Sequence, residues 1–301
     1  MKAELQKIQL PILEKKSLAL YIKREDLLYP ALSGNKYRKL KYNLIKAREE
    51  GHDRLLTFGG AYSNHIAATA RAGKDNGMQT IGVIRGEELS VSWEYNPTLK
   101  KARENGMQFI FVKRSEYRKR HDPTFHTQLE AEFGKFYLLP EGGTNDLAIK
   151  GCEEILSDSD QEFDMICCSV GTGGTLAGIV NSSGAHQHIL GFPALAGDFL
   201  NKDIRKFTAG NNWKLLQDYN FGGYARVNEE LVLFINNFFR QTKIPLDPVY
   251  TGKMMFGILD LIKQDYFAAQ TKILAIHTGG LQGIDGMNRK LKMKNLPLIE
   301  V

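Results

Sequence analysis

Apolar residues along the chain gather into short runs, separated by longer segments in which they recur every three or four positions. This is the pattern of strands alternating with amphipathic helices. The predicted strands are 18–23 (LALYIK), 54–58 (RLLTF), 80–84 (TIGVI), 108–112 (QFIFV), 164–170 (DMICCSV), 188–192 (HILGF) and 272–277 (KILAIH). Most are continuously apolar rather than alternating, as in a sheet covered by helices on both faces. Between the first two, Tyr37, Leu40, Leu44 and Ala47 fall at helical spacing ahead of Gly51, which predicts a helix beginning near Asn35. No low-complexity linker or solenoid-length repeat interrupts the alternation.

Three predicted strands run directly into glycines and hydroxyl residues and then into a helical segment: TFGGAYSNHIAATA, CCSVGTGGTLAG and AIHTGGLQG. Ligands of open α/β sheets sit beyond the carboxyl ends of strands, so three such loops point to one shared cleft. The segment SVGTGGTLAG (169–178) carries the strongest anion signal. Gly171, Gly173 and Gly174 permit a tight turn of inward amides, Thr172 and Thr175 add hydroxyls, and the following helix adds its positive end. No Lys-Ser or Lys-Thr follows these glycines, which disfavours a nucleoside-triphosphate loop, and no acidic ribose partner matches a dinucleotide fingerprint. A plain strand-to-helix turn would use the same residues without any ligand.

The segment SGNKYRKL (33–40) opens the predicted helix with a run of cations, and Lys36 and Lys39 project from one side of its first turn. A lysine there is ordinarily a solvated charge. Beside a phosphate cup in a cleft, it can be desolvated, lose its proton and form a Schiff base with an aldehyde. Pyridoxal phosphate needs that combination of one amine and one phosphate site.

Composition changes this picture little. The 301 residues correspond to about two domains at roughly 150 residues each. The formal charge of +6 is modest, and its densest patch, VKRSEYRKRH (112–121), reads as a solvated helical face rather than a nucleic-acid site, or as attraction for a small anion. Cys152, Cys167 and Cys168 form no CxxC spacing and are expected as reduced core residues, with no metal site. The segment MKAELQKIQLPILEKK lacks the apolar run of a signal peptide, and no membrane-spanning stretch follows, so a cytoplasmic location is expected.

The blocks SGNKYRKLKY, GGAYSNH, SVGTGGT, VYTGK and HTGG, in this order, make the chain resemble the family of 1-aminocyclopropane-1-carboxylate deaminase and D-cysteine desulfhydrase. The resemblance spans about 15–290, weakest over 182–215. It implies pyridoxal 5'-phosphate as cofactor and the two-domain tryptophan-synthase β-like α/β fold (fold type II). Each domain would be an open, twisted, mostly parallel sheet flanked by helices, with residues 50–146 as the small domain and 1–49 with 147–301 as the large one. A homodimer acting on a small amino acid, with no nucleic-acid or membrane partner, is implied as well. By residue, the resemblance makes Lys36 the Schiff-base lysine and Lys39 a phosphate contact. Gly171, Thr172, Gly173, Gly174 and Thr175 become the phosphate loop, and Asn64 the partner of the ring hydroxyl. Ser63 takes the substrate-side serine position, although alone it reads as an N-cap. His65 follows on the same turn, structural as readily as catalytic. Tyr250 is favoured as proton donor or acceptor near the leaving group, with Tyr224 as a second active-site tyrosine. Tyr62 stands where relatives commonly carry glutamine.

Thr251 and Thr278 separate the branches of that family. The deaminases carry glutamate and leucine there, as YEGK and HLGG. A glutamate near the pyridine nitrogen stabilises its protonated form and deepens the electron sink, whereas a threonine hydroxyl does not. The threonines therefore favour β-elimination of a good leaving group, D-cysteine giving pyruvate, ammonia and hydrogen sulfide. Deamination of the cyclopropane amino acid to α-ketobutyrate is the alternative. A phosphate-ligand or cofactor-binding protein without catalysis is a third reading.

Overall fold

The computed structural model describes residues 2–301 except 30, 31, 33, 196 and 198. Ser33 of the cationic block thus lies outside the described residues. Two sheets form. The larger runs in the order β1 (Glu4–Lys7), β2 (Ala19–Arg24), β10 (Lys272–Ile276), β7 (Met165–Val170), β8 (His188–Pro193), β9 (Trp213–Leu215). The smaller runs β5 (Met107–Val112), β4 (Gln79–Arg85), β3 (Arg54–Gly59), β6 (Tyr137–Leu139). Every pairing is parallel except that of β1 with β2.

The continuous apolar runs follow from this layering. Along β7 and β10, Cys167, Ile273 and Ala275 join one core while Ile166, Cys168, Leu274 and Ile276 join another on the opposite face. Successive side chains of a strand point to opposite faces, so a sheet buried on both sides needs apolar residues at every position. All three cysteines are free and buried, and desolvation pushes each thiol above its ordinary pKa. They behave as small apolar groups. Among the described residues, no helix is long and apolar enough to cross a membrane.

Five helices reach the carboxyl edges of the sheets: α1 (Asn35–Glu49), α2 (Asn64–Asn76), α3 (Asp146–Glu153), α4 (Gly174–Ser182) and α5 (Thr251–Lys263). The first begins where the spacing of apolar residues predicts. Its Leu40 and Ala47 pack with Leu55 and Leu139 of the smaller sheet and with Ala68 of α2. Its outer contacts go to the larger one: buried Arg38 grips Glu25 through Nε and Nη2 at 2.9 and 3.0 Å, a two-point geometry that fixes rotation as well as distance.

Candidate active site

Lys36 and Lys39 leave the first turn of α1 on one side and converge on a single carbonyl. The Nζ atoms of Lys36 and Lys39 donate to Gly142 O at 3.3 and 3.1 Å. Lys39 also reaches Thr144 Oγ1 at 2.9 Å and Thr172 Oγ1 at 3.3 Å. Gly142 belongs to a 3-10 turn, Glu141–Gly143, that follows β6. Desolvation, then the neighbouring charge of Lys39, holds the Lys36 ammonium well below its ordinary pKa. Burial lowers Lys39 too. An amine short of solvent and facing a second cation sheds its proton readily, which is what a nucleophilic lysine requires.

Gly34 lets this turn close on the larger sheet. Its φ is +54°, and a Cβ there would stand 2.5 Å from Thr278 O, so no other residue fits. The next residue, Asn35, donates its backbone N–H to Thr278 O at 3.3 Å and its side-chain amide to Thr175 Oγ1 at 2.8 Å. The amine-bearing helix is thereby tied to both the HTGG and the GTGGT loops.

The GTGGT loop joins β7 to α4, with Gly173 left-handed at φ +85° as the N-cap. Free amides of a helix start and the helix dipole favour an anion here. Thr172 and Thr144 share a hydroxyl hydrogen bond of 2.6 Å. A Cβ at Gly174 would lie 3.1 Å from Lys39 Nζ and 2.9 Å from Thr144 Oγ1. The glycine keeps space beside a cation that a side chain would fill. A buried amine, a neighbouring cation and a cradle of helix-start amides are the donor set an aldehyde phosphate requires, and these residues fit pyridoxal phosphate.

Ser63 caps α2, its Oγ accepting from Ile66 N at 3.3 Å; the hydroxyl proton stays free for a ligand. Asn64 Oδ1 accepts from Gln282 Nε2 at 2.6 Å, fixing its amide. His65 is buried, and among the described residues neither ring nitrogen has a hydrogen-bond partner. Burial, then the charges of Lys36 and Lys39, hold it well below its ordinary pKa, so it is a neutral imidazole. Tyr62 leans away onto the C-terminal helix Ile284–Met293, where a Cβ at Gly286 would stand 2.4 Å from its ring and Lys290 Nζ lies 4.8 Å from its centroid.

Tyr250 stands at the start of α5 against the GTGGT loop, its Cε1 3.2 Å from a Cβ position on Gly171. Its ring meets that of Tyr224 edge-on at 6.2 Å. Burial, then the nearby Tyr224 phenol, push Tyr250 well above its ordinary pKa, and burial raises Tyr224 although that residue is 43 % exposed. Both stay protonated at neutral pH. Thr251 is fully buried, and its hydroxyl donates to Asp247 Oδ1 at 2.7 Å while accepting from Asp247 N at 2.9 Å. Its proton is committed there rather than available to a ligand. Thr278 Oγ1, two residues past the end of β10, lies 3.2 Å from Oγ of Ser169 near the end of the adjacent strand β7.

The predicted residues thus gather around one cleft, while the hydroxyls of Thr175 and Thr251 serve Asn35 and Asp247. Sequence reasoning missed several of their supports. Asp247 Oδ2 accepts from Val249 N and Tyr250 N, and Oδ1 from Thr251 N, all at 2.8–3.0 Å; the Asp-Pro pair ahead of a helix is the signal that could have found it. Lys253, also buried, donates to Asn220 O at 2.7 Å and Gly223 O at 2.8 Å, gripping the turn that carries Tyr224. Gly142 and Thr144, which receive the two lysines, leave no trace in spacing. Among the described residues no cluster of three or more His, Cys, Asp or Glu could hold a metal.

Comparison with known proteins agrees with this geometry. Residues 4–279 match the family described as pyridoxal-phosphate dependent enzyme. A protein of Pyrococcus horikoshii with the provisional name 1-aminocyclopropane-1-carboxylate deaminase is 33% identical over 88% of this chain and 85% of its own. An Arabidopsis thaliana mitochondrial protein, named as a bifunctional D-cysteine desulfhydrase/1-aminocyclopropane-1-carboxylate deaminase, is 32% identical over 88% of this chain and 73% of its own. A crystal structure described as an ACC deaminase homologue superposes with a TM-score of 0.82 at 30% identity, covering 97% of this chain and 94% of that one.

Proposed function

Because the chain belongs to the pyridoxal-phosphate-dependent enzymes of fold type II, we propose that its reaction is β-elimination on a small amino acid, D-cysteine giving pyruvate, ammonia and hydrogen sulfide. Pyridoxal phosphate is the cofactor, and membership of an enzyme family sets aside a binder without catalysis. Lys36 Nζ would hold its aldehyde carbon. The amides of residues 171–175, with Lys39 beside them, would hold its phosphate. Bound in this way, the cofactor supplies an electron sink for the bonds at the substrate's α-carbon.

The rest falls to this chain's own groups. The Ser63 hydroxyl and the start of α2 orient the substrate carboxylate. Lys36, freed by the incoming amine and kept short of protons by burial, takes the α-proton on Nζ. The Tyr250 hydroxyl, which retains its proton well beyond neutral pH, gives it to the departing sulfur. The three-carbon enamine that leaves then takes up water, yielding pyruvate and ammonia.

The observation carrying this reading is the hydroxyl pair Ser169–Thr278 near the ends of β7 and β10. A hydroxyl, rather than a carboxylate, beside the pyridine nitrogen would leave the ring neutral and the sink shallow, which would suit expulsion of a good leaving group. The nearby carboxylate of Asp247 is occupied by three backbone amides and Thr251. The second reading, deamination of the cyclopropane amino acid, draws support from the names of the relatives, the Arabidopsis protein being named for both activities.

Incubating the holoprotein separately with D-cysteine, L-cysteine, D-serine and 1-aminocyclopropane-1-carboxylate, and measuring sulfide and 2-oxo acid, decides between them. Sulfide with pyruvate from D-cysteine is expected. α-Ketobutyrate from the cyclopropane substrate without sulfide from D-cysteine would overturn the elimination in favour of the deaminase.

A further inference from the structure

Arg85 ends β4 at the carboxyl edge of the smaller sheet, and it is exposed. Its guanidinium lies 5.7 Å from the centroid of the buried Tyr117 ring. One of its terminal nitrogens, Nη2, comes within 3.7 Å of a Cβ position on Gly60, the residue that opens the turn leading to Ser63. Across the cleft its charge reaches the Tyr224 phenol and favours the ionised form. The acid on this wall, Glu141, is already held by Tyr117 OH at 2.8 Å and by Arg120 Nε at 2.8 Å. None of the ion pairs among the described residues in this region involves Arg85.

A guanidinium supported on an aromatic ring keeps a fixed orientation and a thin hydration shell, and its free edge matches an anion. Here that edge stands at the rim of the cleft, between the turn that would orient an amino acid's carboxylate and the tyrosine pair beyond its side chain. We propose that Arg85 is a specificity-determining residue that receives an anionic β-substituent of the amino-acid substrate. The inference deepens the elimination reading, taking from it only that an amino acid occupies this cleft. For cysteine, whose thiol titrates near pH ~8.5, such a neighbour favours binding as the thiolate, which leaves as hydrosulfide once the Tyr250 hydroxyl has given it a proton. A cyclopropane ring offers it nothing.

The test is calorimetric titration of the holoprotein with aspartate and with alanine, in both enantiomers, for wild type and R85Q. These ligands share the carboxylate and amine and differ in the β-substituent. Wild type should bind the preferred enantiomer of aspartate about fivefold more tightly than alanine, the size of a good exposed ion pair. The ratio should fall to about one in R85Q, recover partly in R85K, and shrink with added salt. Equal affinities in wild type, binding of neither ligand, a ratio unchanged in R85Q, or an equal loss for both ligands would each overturn the assignment. The readout needs no turnover. Absence of sulfide release with the ratio behaving as expected would sink the elimination reading while leaving Arg85 in place.

Discussion

The Lys36 side chain owes its character to what surrounds one nitrogen: a second ammonium, a single carbonyl and little water. Replacing it by alanine removes the amine without opening the core, since the group sits at the cleft. Lys36→Ala should abolish release of pyruvate and sulfide while leaving the far-ultraviolet circular dichroism unchanged. Robust elimination by that variant without added amine would remove Lys36 from its role. The sequence made this residue visible because Lys36 and Lys39 are one turn apart at the start of a helix beside a glycine loop. Arg38, between them, was not readable in the same way. Its partner Glu25 lies beyond the end of another strand, and no local spacing encodes a contact set by how two elements pack.

Among the elements, α5 depends most on one side chain outside itself. The Asp247 carboxylate accepts three backbone amides and the Thr251 hydroxyl, satisfying the helix start and orienting Tyr250. Asn in its place offers one acceptor and turns an N–H toward donors. Asp247→Asn should cost about 1.5–3 kcal/mol in urea unfolding, the range for hydrogen bonds to a charged group, and should lower kcat more than it raises KM. Unchanged kcat would mean that Tyr250 does not depend on this cap. The seven predicted strands all appear because burial on both faces writes itself as continuous apolar runs. The strands β1, β6 and β9 escaped the same reading, being only three or four residues long, and ELQK, at the sheet edge, is mostly exposed and polar. Edge strands need not carry an apolar signature.

At the scale of the whole molecule, buried lysines couple stability to pH. Burial lowers Lys253 to about 8, whereas an unfolded lysine titrates near ~10.4. Between those values the unfolded chain binds more protons, so this group's contribution to stability rises as pH climbs from about 8 towards ~10 and is flat outside that window. The stability difference between wild type and Lys253→Met, from urea unfolding, should therefore grow with pH across it; a constant difference would mean the ammonium is not desolvated. The same side chain holds the 220–223 turn, in which Phe221, Gly222 and Gly223 all have positive φ. The site also joins the two sheets. Asn35 is stitched to the loops of the larger one, Arg38 and Lys41 tie the same helix to Glu25 and Glu154, and its Leu40 and Ala47 lie against the smaller. The reactive nitrogen, one position beyond Asn35 and two before Arg38, is therefore aimed from the larger side, while the apolar face of the same helix supports the smaller sheet. One helix thus serves both halves, so a substitution on its apolar face bears on the cleft as well as on the core beneath it.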